Sequence, residues 1–484
     1  MAVTTSSRTK RCWSILASLL MLCFSQGSIL GQDPSSDGPG GGSTQSGAGG
    51  GQVGGGPANP SIAKTSRSVK RSSQPSSTAA DRRGASTRKQ PPPEESLSDK
   101  VERALEEGNA ARDGHLYPQA ESLYRKALSL DAKDARAYIG LGNVYFDQDK
   151  FDQAIEFYRL AIKLQPANAE AYSNLGYSFI RLGKNTEAEP FIKQALALDP
   201  QSATAITRQG HLYRSQRKYN EAIEQYKKAI NLKPDYAEPY NGLGLVYEDQ
   251  KNYIDATDQL KKAISLRPDW PLPYFNLGSV YLDQKIYAEA INQFNKAVSL
   301  KPDYAAAYNR LGYVYYSQRN YDEAIVNLNK AIAAAPNAGY PYNGLGLVYS
   351  AQKKYEAAAE QYLKAINASP NWSVPYHNLG DAYHLLNRDA EAIDAYRKAS
   401  SISPNWANPY NSMGNLYYAQ RRYSEALELY KKVISLQPNF APAYYNMGLV
   451  YLQLKNKDAA MEQYRKLQTL DPARAQRLLQ LINK

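Results

Sequence analysis

The sequence predicts an all-helical solenoid, and three ladders of single residues carry that prediction. Glycine recurs every 34 residues from Gly108 to Gly448, alanine from Ala120 to Ala460, and proline from Pro166 to Pro472. A piece of this length cannot bury an apolar face alone, so the pieces must stack on one another.

The unit at 305–338 shows the pattern most cleanly. Tyr308, Leu311, Gly312 and Tyr315 fall at i, i+3, i+4 and i+7, one face of a first helix. Tyr321, Ala324, Ile325, Leu328, Ala331 and Ile332 give a second helix the same spacing. Glycine and alanine stand where the two helices cross, because only small side chains allow close approach. Pro336 ends the second helix, since proline cannot continue it and biases the preceding residue away from helical dihedrals. The pattern resembles the tetratricopeptide repeat (TPR), over Val101 to Arg474, as eleven units. That resemblance implies a right-handed superhelix, an α-solenoid of helix-turn-helix repeats with a concave groove. The first unit, 101–134, departs from the pattern as a terminal unit should. Residues 475–484, with Leu478, Leu479, Leu481 and Ile482, predict a final capping helix.

Upstream of the array the composition changes twice. Arg8, Lys10 and Arg11 precede the apolar run Trp13–Phe24 and then small residues, the order of a secretory signal peptide over 1–31. This twelve-residue run falls short of the roughly 20 apolar residues needed to span a bilayer. The expectation is export, periplasmic or secreted; the alternative is a membrane anchor by an uncleaved segment. Both cysteines, Cys12 and Cys23, lie in this leader. Residues 32–95 read as a linker: Gly-rich from Gly38 to Gly56, then basic from Lys64 to Lys89, then Pro91–Pro93. Residues 96–474 form the array.

Net charge is +12, shared equally between the first hundred residues and the nearly balanced array. Nucleic acid is disfavoured as a partner, because no stacking aromatics interleave the basic residues of the linker. A membrane contact is expected only through the leader or the basic tail. No phosphate loop and no nucleophile–base spacing is present, so the chain reads as neither an enzyme nor a cofactor protein.

Of 40 tyrosines, most occupy framework phases; Tyr177, Tyr313, Tyr316, Tyr340, Tyr418 and Tyr445 do not. The TPR resemblance places these six on the groove side of first helices. It places Asn241, Asn309, Asn343, His377, Asn411, Asp381, His384, Asn415, Tyr313, Tyr316 and Tyr418 on the same lining. Asn174, Asn276 and Asn378 sit one residue later in phase. There they resemble the asparagine ladder of O-linked N-acetylglucosamine transferases, which binds substrate peptides. Arg208 and Arg310 share that phase and stand 102 residues apart, within a three-repeat period that also spaces Gly140, Gly242 and Gly344. That period reads as block duplication, or alternatively as groove chemistry with two matched arginine anchors. His377, Asp381 and His384 share a helical face, which suits groove lining better than zinc, for want of further ligands.

The mixed amide and aromatic lining predicts a non-catalytic scaffold for extended protein segments, in an envelope or secretion assembly. The alternatives are a glycan-polymer module of a polysaccharide-export system, or a substrate-selecting arm for a separately encoded glycosyltransferase.

Overall fold

The computed structural model describes residues 96–484; the expected leader and linker lie outside the described residues. Within the described residues are 23 helices and no strand. They divide into two units, 96–280 and 281–484, with the boundary inside the helix Pro271–Asp283. In each unit the helices come in antiparallel pairs. A first helix of 13 residues, such as Ala305–Ser317, is followed by a three-residue turn and a second helix of 14, such as Tyr321–Ala334.

The opening helix is longer, Leu97–Asp113, and starts at Ser96. The Ser96 hydroxyl accepts the Asp99 N–H, while the Asp99 carboxylate accepts the Ser96 N–H. This reciprocal cap satisfies two otherwise orphaned donors. The last helix is Pro472–Ile482, three residues ahead of the expected start at Ala475. Asp471 caps it by accepting the Arg474 N–H at 2.9 Å. Pro472 therefore opens a helix, since its missing N–H is not needed in a first turn. Leu478 and Ile482 bury the end of the array beside Gly448.

Each turn inside a pair contains one residue in the left-handed region. It is glycine only at Gly183; elsewhere it is His115, Asp149, Arg217, Lys251, Lys285, Arg319, Lys353, Asn387, Arg421 or Lys455, with φ near 60°. The following residue donates its N–H five residues back, as Lys354 does to Tyr349 at 2.9 Å. This closes the first helix with a Schellman-type cap. The linker between pairs is pinned differently. Tyr240, Tyr274, Tyr342, Tyr376, Tyr410 and Tyr444 donate their hydroxyls to Pro234, Pro268, Pro336, Pro370, Pro404 and Pro438 carbonyls at 2.8–3.3 Å. A framework tyrosine thus ties six of the proline turns to the next first helix; after Pro200 the same phase holds Ile206.

The glycine and alanine ladders meet as close packing requires. Ala154, Ala222, Ala324 and Ala426 are fully buried. A Cβ on Gly210 would lie 2.6 Å from the Tyr226 ring, and one on Gly414 2.7 Å from Tyr430. The second glycine ladder has the same cause: Gly242 faces Tyr226, and Gly344 faces Leu328. The three-repeat period is therefore partly a packing pattern.

Candidate functional site

The first-helix residues at the predicted lining phases are placed unequally in the two units. In residues 96–280 most of them are engaged by the protein itself, although Ser173 Oγ and Asn241 Nδ2 are buried without a hydrogen-bond partner. Arg208 is 1% exposed and pairs with Glu238. Its guanidinium lies 3.6 Å from the Tyr177 ring centroid. His211 places Nε2 3.2 Å from the same carboxylate, and its Nδ1 lies 2.8 Å from the Tyr226 hydroxyl. Tyr236 donates to Glu238 at 2.5 Å. Burial alone raises the Glu238 carboxyl, but Arg208, His211 and Tyr236 outweigh it and hold the group at about 2. Burial lowers the His211 pKa, against the pull of Glu238. Beside this cluster Phe146, Tyr177 and His211 stack in sequence at 5.2 and 5.4 Å. Tyr177 is thus a core residue, and the first unit's lining is closed along this stretch.

The asparagines pair with one another across neighbouring repeats. Asn174 donates to Asn143 at 3.1 Å, Asn276 to Asn241 at 2.8 Å, Asn378 to Asn343 at 2.9 Å, and Asn446 to Asn415 at 2.8 Å. A row that resembles a peptide-binding ladder is here occupied by inter-repeat amide bonds. Asn143 and Asn415 also accept the hydroxyls of Tyr158 and Tyr430.

In residues 281–484 the face is more open. Arg310, Tyr313, Tyr316, Asn378, Asp381, His384, Asn411 and Tyr418 are all half-buried; Asn309, Asn343, His377 and Asn415 are buried. Tyr445 is also buried, packed in the core under the last pair. Tyr316 tilts against Tyr321 at 6.2 Å, and Tyr418 against Tyr423 at 5.9 Å, the same pairing repeated 102 residues later. Burial and then Tyr423 push the Tyr418 hydroxyl up to about 12. The amide oxygens of Asn309 and Asn411 are buried without a hydrogen-bond partner.

The His377–Asp381–His384 face does not converge on one point. Asp381 accepts the Tyr396 hydroxyl at 2.6 Å and lies 3.5 Å from His377. His384 turns to Asp389 at 2.8 Å, and His377 packs on Trp406. Among the described residues no group of His, Cys, Asp or Glu is placed to hold a metal ion. None of the described helices is long and apolar enough to cross a membrane.

Arg208 and Arg310 are not matched anchors. The acid that pairs with Arg208 is Glu238, and 102 residues on its place is taken by Tyr340. Glu238 and Tyr236 are the residues that sequence reasoning missed. The signal was an acid two residues into the first helix following an arginine-bearing one.

Family comparisons agree with the geometry. The TPR repeat description matches residues 142–183, 210–251, 279–319, 380–421 and 414–455. Tetratricopeptide repeat descriptions match 303–371, and 169–202, 237–269 and 441–474. The chain belongs to the tetratricopeptide-repeat family. Among solved structures, this TPR array is similar to yeast Tom70, at 17% identity, TM-score 0.44, covering 80% of this chain and 95% of that one. It is also similar to the APC/C hetero-tetramer Cut9–Hcn1, at 15% identity, TM-score 0.40, covering 80% and 97%. No curated protein matches the sequence.

Proposed function

We propose that this TPR protein is a non-catalytic scaffold that takes an extended segment of a partner protein on the first-helix face of its second unit. The carrying observation is the pair of buried, unpartnered amide oxygens of Asn309 and Asn411 beside half-buried Tyr313, Tyr316 and Tyr418. An extended chain supplies N–H donors to such acceptors and shallow apolar contact to the rings. Export directed by residues 1–31 belongs to the same proposal and would place the scaffold in an envelope or secretion assembly.

The test is capture of protein partners on the immobilised full chain, with Tyr313→Ala plus Tyr418→Ala as one variant and exposed Ile254→Ala as the other. Loss of the same captured proteins only with the tyrosine variant, at unchanged far-UV circular dichroism, supports the reading. Equal capture by both variants removes this face from it. The tyrosines also favour a glycan polymer as the second reading, and retention of the full chain on insoluble polysaccharide tests that directly.

A further inference from the structure

The first helices of the second unit are almost without charge. In the five helices Ala305–Ser317, Gly339–Ala351, Ser373–Leu385, Ala407–Ala419 and Ala441–Gln453, only Arg310 and Asp381 are charged. Asp381 is already engaged by the Tyr396 hydroxyl. Charge in these repeats is carried by the second helices, as at Lys364–Glu360 and Lys431–Glu428. The scarcity is not a property of first helices in general. Within the first unit, Ala237–Asp249 alone carries Glu238, Glu248 and Asp249, and Ala203–Ser215 carries Arg208 and Arg214.

Away from Arg310 and Asp381, a ligand side chain laid on the second unit's face meets tyrosine, asparagine, histidine and small residues. An ionised group at those positions would lose water without gaining a counter-charge, which is costly even at partial burial. Besides the Trp406 Nε1–H, a donor behind His377, the unmet groups here include two acceptors, the buried oxygens of Asn309 and Asn411. A backbone N–H satisfies them and a carboxylate cannot. These two asparagines stand three repeats apart. At about 10 Å for each pair of packed neighbours they are separated by about 30 Å, the length of about nine extended residues.

We infer that the second unit is selective for an uncharged, extended protein segment about nine residues long. This rests on the reading of the face as a protein-binding surface and specifies what that surface accepts. Recognition runs through amide pairing and tyrosine contact, so screening by salt leaves it unchanged, whereas a surface ion pair weakens as salt rises.

The experiment is selection of a random dodecapeptide library on the immobilised full chain, followed by titration of the enriched peptides at 0.05 and about 0.5 M salt, the range over which the Debye length shrinks several-fold. The expected result is enrichment of peptides without Asp, Glu, Lys or Arg, and affinities that change less than about twofold with salt. Tyr316→Ala with Asn411→Leu should abolish their binding. Half-buried Ser350 stands 34 residues after Tyr316, at the same phase of the next first helix; Ser350→Lys should shift the selection toward acidic peptides. Enrichment of charged peptides by the unaltered chain, or a tenfold loss of affinity in high salt, overturns the inference while leaving a protein-binding face in place. If no peptide is enriched and only a neutral glycan is retained, the protein-binding reading itself fails, and the inference with it.

Discussion

The Tyr158 hydroxyl donates to Asn143 Oδ1 at 2.7 Å, joining the second helix of a repeat to its own first helix through a buried hydrogen bond. The same phases are joined by Tyr124–Asn109, Tyr226–His211, Tyr396–Asp381 and Tyr430–Asn415. Where the second helix carries Ile192, Leu260 or Leu328, the first-helix position is Tyr177, Leu245 or Tyr313, and no polar acceptor is needed. At these positions the pairing follows the cost of a buried hydroxyl left unmet, about 1–3 kcal/mol; buried Tyr362 departs from the pattern, with Leu347 at the acceptor phase.

Asn143→Leu should therefore destabilise the first unit by about that amount. Adding Tyr158→Phe should recover part of the loss, because it removes the unmet hydroxyl while the Asn174 amide that also donated to Asn143 stays unpaired. A double-mutant cycle by urea unfolding checks this, with local amide exchange of 135–164 as the readout where unfolding is not two-state. Strict additivity of the two substitutions would sink it.

The buried cluster around Arg208 predicts an acid response in the repeats that contain it that the helices Gly339–Ala351 and Tyr355–Ala368 lack. His211 is held neutral by burial, so the folded state resists its protonation and stability falls as pH drops below about 6.5. Glu238 has a depressed pKa, so its contribution is complete above about 4.5 and is lost as pH falls toward about 2. Both terms act in the same direction. Exchange protection of Ala203–Ser215 and Ala237–Asp249 should decline between pH 7 and 5 and again below pH 4.5. The helices Gly339–Ala351 and Tyr355–Ala368, which hold no buried ion pair, should keep theirs. A uniform decline along the chain would contradict the assignment.

The solenoid was legible in the glycine, alanine and proline ladders because each ladder has a local steric cause that acts in every repeat. Pro472 misled the reading of the last helix because one residue type serves both as a stop and as a first-turn residue. The candidate site was harder to read. Asn174, Asn276 and Asn378 have the residue type and phase of a ligand ladder, yet each is spent on an asparagine of the preceding repeat. Arg208 looked like a partner of Arg310 because phase was visible and Glu238 was not. Whether a polar side chain faces a ligand or a neighbouring repeat depends on its cross-repeat partner, which lies about 30 residues away in sequence and outside any local pattern.

The glycine ladder itself can be tested by contrast. At Gly210 a methyl group would collide with the Tyr226 ring, while at Gly183 nothing lies within 4 Å and φ is +72°. Gly210→Ala should cost about 1–3 kcal/mol through overpacking. Gly183→Ala should cost about 1 kcal/mol, from its left-handed backbone alone. Against Tyr226→Leu alone, which loses the hydroxyl bonded to His211, adding Gly210→Ala should cost little, while Gly183→Ala should cost the same in either background; denaturant midpoints would show this.

The ten non-glycine turn residues give the last prediction. Lys353 has φ of 61°, is exposed, and forms the left-handed cap of the helix Gly339–Ala351. A side chain in this region costs roughly 1–2 kcal/mol relative to a right-handed conformation, and glycine removes that cost at some expense in unfolded-chain entropy. Lys353→Gly should therefore stabilise its repeat by about 0.5–1 kcal/mol, and Lys353→Val should destabilise it, because a β-branched chain is poorly tolerated at positive φ. The positive charge beside a helix C-terminus is worth about 0.3–1 kcal/mol, so Lys353→Gly gains most in high salt, where that attraction is screened. Unfolding midpoints at low and high salt decide the matter. A lower midpoint for the glycine variant at both would show that the lysine side chain contributes more than its backbone strain removes.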